Sequence, residues 1–371
     1  MGKFTERFFR LSSVFKIISL LCFLALLLSY LSPYIHPKTI SILPFFGLFY
    51  PIIIIINLFI LLIWSFAKSK WAIFSLLVIA IGGKLHFRNF SFSFGGDVKR
   101  NNELKILSYN IHLFGVFNKN LAASLETRNR IFTFLRKENA DVICLQEYYR
   151  QDKPTSFETI DSLYSITGTK YYHERSAHKR SGNQNFGVAI FSKYPIITKG
   201  DVMFDSYTSK DYNYCIYTDI LKNKDTIRIY NIHLQSIRLF NHADQLVNTE
   251  SYVKNKYLPF LDMYRKLNTA YLKRAGQSKK VLDHISKSPY PVIVCGDFND
   301  TPLSYTYNHF NRVLTDAFRN TSFGIGSTYV GKIPAGRIDY IFHSSSLFSS
   351  DFKIQKEVLS DHRAISCIIS R

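Results

Sequence analysis

The sequence predicts a layered α/β domain behind a strongly apolar N-terminal region, and three observations predict it. From residue 104 onward, short β-type runs recur with helical segments between them, the pattern of an α/β or α+β layered domain. Before residue 90, the chain instead carries apolar runs of membrane-spanning length. Of the 371 residues, 47% are hydrophobic and 16% aromatic, which excludes a disordered chain, while 17 glycines and 5 cysteines exclude a collagen-like or disulfide-scaffold one.

The N-terminal region opens with Val14–Leu31, whose one charge is Lys16. Ile42–Trp64 follows with no charge in 23 residues; its Pro44, Gly47 and Pro51 would break a soluble helix but are tolerated in a membrane. Trp71–Gly83 is shorter, either a span using Lys84 and Arg88 as snorkelling ends or an interfacial helix. A cleaved signal peptide would account for the first run but not the second, and no small-x-small site follows Leu31. Residues 1–90 are therefore expected to be an uncleaved anchor of two or three transmembrane helices, with the lipid bilayer as partner. This makes the chain an integral protein of the plasma (inner) membrane. Lys3, Arg7, Arg10 and Lys16 put the N-terminus inside, as Lys68 and Lys70 do the second loop. Three spans then leave the remainder outside, and two leave it cytoplasmic. Residues 91–103, with Gly95-Gly96, suit a linker.

Residues 104–371 make one unit of ordinary domain size. Strands are predicted at Leu104–Tyr109, Val142–Leu145, Gly187–Phe191, Tyr212–Ile220, Thr226–Ile232, Pro291–Cys295, Ile338–Phe342 and Ala364–Ile369, where residues alternate or are β-branched throughout. Arg128–Asn139 places Ile131, Phe134 and Leu135 at helical spacing, and a second helical region spans Asp244–Ser286. Cys144, Cys215, Cys295 and Cys367 sit inside apolar runs without metal-site spacing, so they read as small core side chains.

Polar residues stand directly at the ends of these strands. Asn110 follows LKILSY, Glu147 follows VICLQ, and His233 closes TIRIYNI. Asp297 and Asn299 follow PVIVCG, Asp339 opens the strand after Gly336-Arg337, and Asp361-His362 precede AISCII. If the first four strands run one way and the last two the other, all of these groups meet on one rim. Singly, each has a plain alternative: a turn cap, a solvated acid, a satisfied core histidine. Together, Glu147, Asp339 and Asn110 supply hard oxygen ligands suited to Mg²⁺ or Mn²⁺. Asp297 could polarise a water, and two histidines could protonate a leaving oxygen and bind a phosphoryl oxygen, the second oriented by Asp361. That is an inventory for phosphoester hydrolysis by in-line attack. No Walker, Rossmann or G-x-S-x-G motif offers another chemistry.

The segments SYNIH (108–112), LQE (145–147), GVAIFSKYPI (187–196), NIHLQS (231–236), CGDFND (295–300), RIDYIF (337–342) and SDHRAI (360–365) resemble, in this order, the motifs of the endonuclease/exonuclease/phosphatase superfamily. This is the group of deoxyribonuclease I, neutral sphingomyelinases and inositol polyphosphate 5-phosphatases. The resemblance covers residues 104–371 and none of the anchor. It implies a four-layer sandwich of two packed mixed β-sheets flanked by helices, and Mg²⁺-dependent phosphoester hydrolysis. By the same resemblance, Glu147 is the chief metal ligand with Asn110 beside it. Asp297 activates or orients the attacking water, with Asn299 holding it and the phosphate. His362 contacts the scissile phosphate, supported by Asp361, and Asp339 bonds a histidine or completes the metal shell. His233 matches members with a histidine general acid there; abasic-site repair members carry a tyrosine instead.

Residues 104–371 carry a net charge of +12, which suits an anionic phosphoester partner, a lipid headgroup or a nucleic acid. Within residues 254–280, Lys254, Lys256, Arg265, Lys266, Lys273, Arg274, Lys279 and Lys280 face one acid, Asp262, and Tyr257, Tyr264 and Tyr271 recur every seven residues. Two readings stay open: an amphipathic helix packing its tyrosines, or a basic arm on headgroups or nucleic-acid backbone. The loop predicted at His173–Asn185, with Arg175, Lys179 and Arg180, would wall the site or be solvated. The expectation is a membrane-anchored, Mg²⁺-dependent phosphoesterase, with a membrane-tethered nuclease or a non-catalytic anion-binding module as alternatives.

Overall fold

The computed structural model describes residues 2–92, 102–180, 184–204, 213–237, 258–331 and 336–371. The chain divides into two compact units, one of residues 1–89 with Thr301–Asn308, the other of residues 90–300 with 309–371.

The larger unit holds fourteen described strands: β1 (Ser91–Phe92), β2 (Leu104–Asn110), β3 (Val142–Gln151), β4 (Tyr171–Arg180), β5 (Gln184–Ser192), β6 (Ile196–Asp201), β7 (Tyr214–Lys222), β8 (Asp225–His233), β9 (Val292–Asp297), β10 (Thr315–Asp316), β11 (Phe323–Gly324), β12 (Asp339–His343), β13 (Phe348–Ile354) and β14 (Ile365–Ser370). Twelve form two six-stranded sheets, ordered β10-β12-β9-β8-β7-β6 and β13-β14-β2-β3-β5-β4; β1 and β11 pair separately. Both sheets are mixed. β2 and β3 run parallel, as do β8 and β9, and their other neighbours are antiparallel.

Alternation builds two cores from single strands. Ile106 and Cys144 face the other sheet, where Ile216, Ile229, Ile293, Cys295 and Ile341 meet them. Leu107, Tyr109, Ile143 and Leu145 face the opposite way, onto Ile131, Phe134 and Leu135 of the helix Leu121–Glu138. Strands covered on both faces read as unbroken apolar runs, which is why the sequence predicts them readily. The sheet containing β8 is flanked by the helix Leu258–Ile285, whose His284 Nδ1 lies 2.8 Å from the Tyr230 hydroxyl. The result is two mixed sheets flanked by helices. The four cysteines of this unit are free and buried.

One prediction is corrected, and one open pair of readings is decided for the described residues. Residues 171–180 are strand β4 and not part of a loop: β4 pairs antiparallel with β5 as an edge strand. In the basic segment, 254–257 lie outside the described residues, while Tyr271 and Arg274 are buried. That part of the segment is an amphipathic helix packed on the domain.

In the smaller unit, α1 (Gly2–Leu31) includes one 19-residue stretch, Ser13–Leu31, long and apolar enough to cross a membrane. The predicted second run is not one continuous helix. It breaks at Phe49 into α2 (Leu43–Leu48) and α3 (Tyr50–Phe66), because Pro44 and Pro51 each sit in a first turn, where a missing N–H costs nothing. The 17-residue α3 is apolar but shorter than a full span. α4 (Trp71–Ile81) and α5 (Gly83–Asn89) pass the same test only as a pair bent by 66°. Phe23, Ile60 and Trp64 join the helices through an apolar cluster with Trp71. Arg88 is not a snorkelling end: it is buried and donates to Asn308 Oδ1 at 2.9 Å.

Candidate active site

Strand registers carry the predicted residues to one rim. His233 lies opposite Asp297 in the parallel β8–β9 pair, and Asp339 lies opposite Asp297 in the antiparallel β9–β12 pair. In the other sheet, Asn110 ends β2 beside Gln146, and Ile365 of β14 pairs with Ser108, so His362 arrives from the opposite direction. The strands thus run as the convergence requires.

Asp297 sits at the centre. Its Oδ1 accepts the Asn299 amide at 2.8 Å, which aims Oδ2 at three other groups. Asn110 Nδ2 donates to that oxygen at 3.0 Å, and His233 Nε2 and His362 Nε2 each stand 3.7 Å from it. Glu147 Oε1 is 3.9 Å from His233 Nε2. His362 Nδ1 meets Asp339 at 2.9 Å, and the Asp339 backbone N–H donates to Thr328 Oγ1 at 3.2 Å. Asn110, His233, Asp297, Asp339 and His362 are all buried, while Glu147 is half-buried.

Local backbone makes this possible. Gly296 has φ 142°, and a Cβ there would fall 2.0 Å from the Ile232 carbonyl oxygen, so only glycine lets β9 pass β8 this closely. Glu147 has φ 48° at a register shift in β3 between Leu145 and Tyr148, a bulge that re-aims its carboxylate. Asn299 (φ 54°) and the run His112–Leu113–Phe114 (φ 44°, 55° and 55°) are also left-handed, a clustering of strained backbone typical of functional rims.

The electrostatics follow from burial. Burial pushes Asp297 up to about 6; Asp339 adds to the rise, and His362 partly offsets it. Burial likewise raises Glu147, against the opposing pull of His112. Burial alone would depress His362, but Asp339, Asp297 and Asp361 reverse that and hold it up to about 10, so it is cationic at neutral pH.

Two predicted contacts are not as expected. Asp361 does not hold the His362 ring: its Oδ1 accepts from Ser360 Oγ at 3.1 Å and stands 3.8 Å from His112 Nδ1, and Asp339 is the partner of His362. Asn299 Nδ2 donates to the Leu234 carbonyl at 3.1 Å, tying the β8 loop to the β9 loop.

Sequence reasoning missed three residues. His112 lies inside the SYNIH segment, and the left-handed turn after Asn110 brings it to Asp361. Tyr329 packs edge-on against the His362 ring at 5.2 Å, with no motif to mark it. Arg274, read as one charge of a basic segment, is buried; it donates to Asp300 Oδ2 at 3.1 Å and the Gln235 carbonyl at 2.9 Å, clamping both loops. Gln277, three residues on, accepts the Gln235 amide; that pair at helical spacing was the available signal.

The donors suit a hard divalent cation. Three carboxylates, of Glu147, Asp297 and Asp339, lie about the two histidines, and Asp297 and Asp339 offer oxygens within 4.8 Å of one another. Two of the carboxylates sit above their ordinary pKa, as expected of acids gathered to face a cation.

Two mixed sheets carrying this rim define the class, a sandwich with the fold of metal-assisted phosphoesterases and nucleases. The chain belongs to the Endonuclease/Exonuclease/phosphatase family, which it matches over residues 107–362. Residues 12–89 match a second family, a domain of unknown function (DUF8431). Over 207 residues the chain is 24% identical to sphingomyelin phosphodiesterase 2 of Homo sapiens, covering 55% of this chain and 43% of that protein. It is 23% identical to sphingomyelinase C of Bacillus cereus over 189 residues, covering 43% of this chain and 54% of that one. It thus spans about half the length of these curated relatives. Among solved structures, an endonuclease/exonuclease/phosphatase family protein from Leptotrichia buccalis C-1013-b superposes with TM-score 0.51 at 19% identity, covering 72% of this chain and all of that one. A functionally unknown conserved protein from Enterococcus faecalis V583 does so with TM-score 0.52 at 15% identity, covering 72% and 99%. At these identities the superpositions establish the fold alone.

Proposed function

We propose that this chain is a membrane-anchored, Mg²⁺-dependent phosphodiesterase acting on a lipid phosphodiester. The observation that carries the hydrolytic reading is the convergence of Asn110, His233, Asp297, Asp339 and His362 from five strand ends, with Glu147 from the β3 bulge, on one rim. Glu147 and Asn110 would hold Mg²⁺, which when bound would neutralise charge on the phosphoryl oxygens. Asp297 Oδ2 takes the proton of the attacking water, and the Asn299 amide fixes its other oxygen. His362, kept cationic by Asp339, binds a phosphoryl oxygen through Nε2. His233, on the other side of Asp297, returns a proton to the leaving oxygen.

Anchoring is supported by the apolar side chains that α1, α3 and α4 leave exposed, among them Leu21, Phe59 and Ile73. A lipid substrate is supported by the two sphingomyelin-hydrolysing relatives and by the exposed apolar side chains Phe323 and Ile325 at β11. The test is a panel of sphingomyelin vesicles, phosphoinositide vesicles, plasmid DNA, RNA and bis-p-nitrophenyl phosphate. Full-length protein is given Mg²⁺ or chelator. Chelator-sensitive release of headgroup is the expected result. Nucleic-acid cleavage without lipid turnover would favour a tethered nuclease, and no turnover of any ester would overturn the reading.

A further inference from the structure

The carboxylate of Glu147 reaches the rim against the alternation of its own strand. In β3, Val142 and Cys144 pack between the two sheets, and Ile143 and Leu145 pack on the outer face. Regular alternation would turn Gln146 inward and Glu147 outward, to the side that Leu145 joins. The outer face is regained only at Tyr148, three residues after Leu145, so the register shift inserts one extra residue. Glu147 is thereby kept off the outer face, and its Oε1 stands 3.9 Å from His233 Nε2.

A side chain of the other sheet holds that bulge. Asn231 of β8 follows the inward-facing Ile229 and precedes His233 by two residues each, so all three share one face of the strand. Asn231 Nδ2 donates to the carbonyls of Leu145 and Ala189, both at 2.9 Å. Leu145 and Ala189 are the last matched pair of β3 and β5 before the register shift. Asn231 Oδ1 accepts from Gln146 Nε2 at 2.7 Å, and the same nitrogen lies 3.1 Å from Ser108 Oγ. That contact fixes the amide, because a flipped Gln146 would oppose two oxygens at 2.7 Å. Asn231 and Gln146 are fully buried, and Gln146 Oε1 has no hydrogen-bond partner among the described residues. An apolar pair of the same shape would avoid the cost of that oxygen. The polar pair instead ties the residue before Glu147 to the strand that carries His233.

We propose that Asn231 is a positioning residue that holds the β3 bulge, and so keeps the Glu147 carboxylate on the rim beside His233. For its effect on turnover this rests on the hydrolytic reading above, and the experiment separates the two. The full-length chain in detergent is assayed for Mn²⁺ affinity by electron paramagnetic resonance. Turnover of bis-p-nitrophenyl phosphate is followed over a range of Mn²⁺ concentrations, and hydrogen exchange in peptides covering residues 145–151. Asn231→Leu, of similar size but without the amide, is expected to raise the Mn²⁺ Kd by about 10- to 100-fold, the usual effect of losing a group that orients a ligand. Saturating Mn²⁺ should recover most of its turnover, because Glu147 is still present, and should not do so for Glu147→Gln. Exchange should rise in 145–151. Ile229→Ala, on the same face of β8, is the control for a damaged core: it should lower the melting temperature and leave Mn²⁺ affinity and exchange in 145–151 at wild-type levels. A wild-type Kd or wild-type exchange in folded Asn231→Leu would overturn the proposal, and so would Ile229→Ala matching it in both. Should wild-type protein bind Mn²⁺ and hydrolyse no ester, the functional reading fails, while affinity and exchange still decide this one. Should it bind no Mn²⁺, the metal reading fails and exchange alone decides. If Asn231→Leu does not fold, Asn231→Ser carries the same measurements.

Discussion

Both units bury polar side chains, but they put them to different uses. In the catalytic unit, carboxylates and imidazoles are gathered where they repel or desolvate one another, and Asp297 and Glu147 pay for it in raised pKa. In the N-terminal unit, buried polar groups join neighbouring helices. Trp64 Nε1 donates to Ser19 Oγ at 3.0 Å, Asn57 Nδ2 to the Cys22 carbonyl at 3.2 Å, and the Tyr50 hydroxyl meets His86 Nδ1 at 2.5 Å. These pairs are ordinary interhelical hydrogen bonds. The difference teaches that a buried polar residue marks chemistry where burial and neighbouring charges move its protonation away from the ordinary range, as they do for Asp297, Glu147 and His362.

The largest effect that tests this contrast is Asp297→Asn. As the general base it should lower turnover by about 10²- to 10⁴-fold, and Glu147→Gln should do comparable damage through the metal. Stability should move the other way. Folding raises the Asp297 pKa from 3.8 to about 6, so its favourable contribution is present below pH 3.8 and is lost as pH rises through about 6. In chelator, the wild-type melting temperature should therefore lose a component across that window that Asp297→Asn retains, and the variant should melt higher at pH 7. A variant that loses stability at pH 7 would show Asp297 to be a packing group and break the contrast.

Arg274→Ala comes next. Its side chain is fully buried and its partner Asp300 is nearly so. Removing one member of such a pair costs about 3–5 kcal/mol, because the carboxylate left behind is desolvated and loses its guanidinium. The expected result is a large drop in melting temperature, with turnover falling because the Gln235 and Asp300 loops are released together. Unchanged stability would show the clamp to be dispensable.

Much of the fold was legible, and the omissions have a common cause. Each of the central strands β2, β3, β5, β7, β8, β9, β12 and β14 was predicted, while the edge strands β4, β6, β10 and β13 were not. Edges are half-solvated and shielded by charge, so β4 reads YYHERSAHKR and lacks the apolar run that marks a covered strand. The rim residues were legible because each stands at the end of the apolar run of a central strand, although β3 itself continues past Glu147 through a bulge to Gln151. Their pairing was not, since Asp339 and Asp361 are equally plausible partners of His362 until the β9–β12 register places one and the turn at His112 claims the other. Arg88 was misread because hydropathy sees a cation after an apolar run and cannot see Asn308, 220 residues away.

The smallest effect is Asn57→Leu, which probes the N-terminal side of the contrast. Asn57 is buried, and its Nδ2 bonds the Ile53 carbonyl in its own helix as well as Cys22 across the interface. Its Oδ1 has no hydrogen-bond partner among the described residues. Leucine of similar size deletes one long interhelical bond but also relieves that oxygen, so the two changes oppose each other. The net cost should stay near the 0.6 kcal/mol average for such bonds in membrane helices, roughly a small shift in melting temperature in detergent. Turnover on a soluble ester should stay at the wild-type level, because the hydrogen bonds of Asn57 run only to Ile53 and Cys22. A loss of turnover in Asn57→Leu as large as that of Asp297→Asn would show that this buried amide serves the chemistry and would break the contrast.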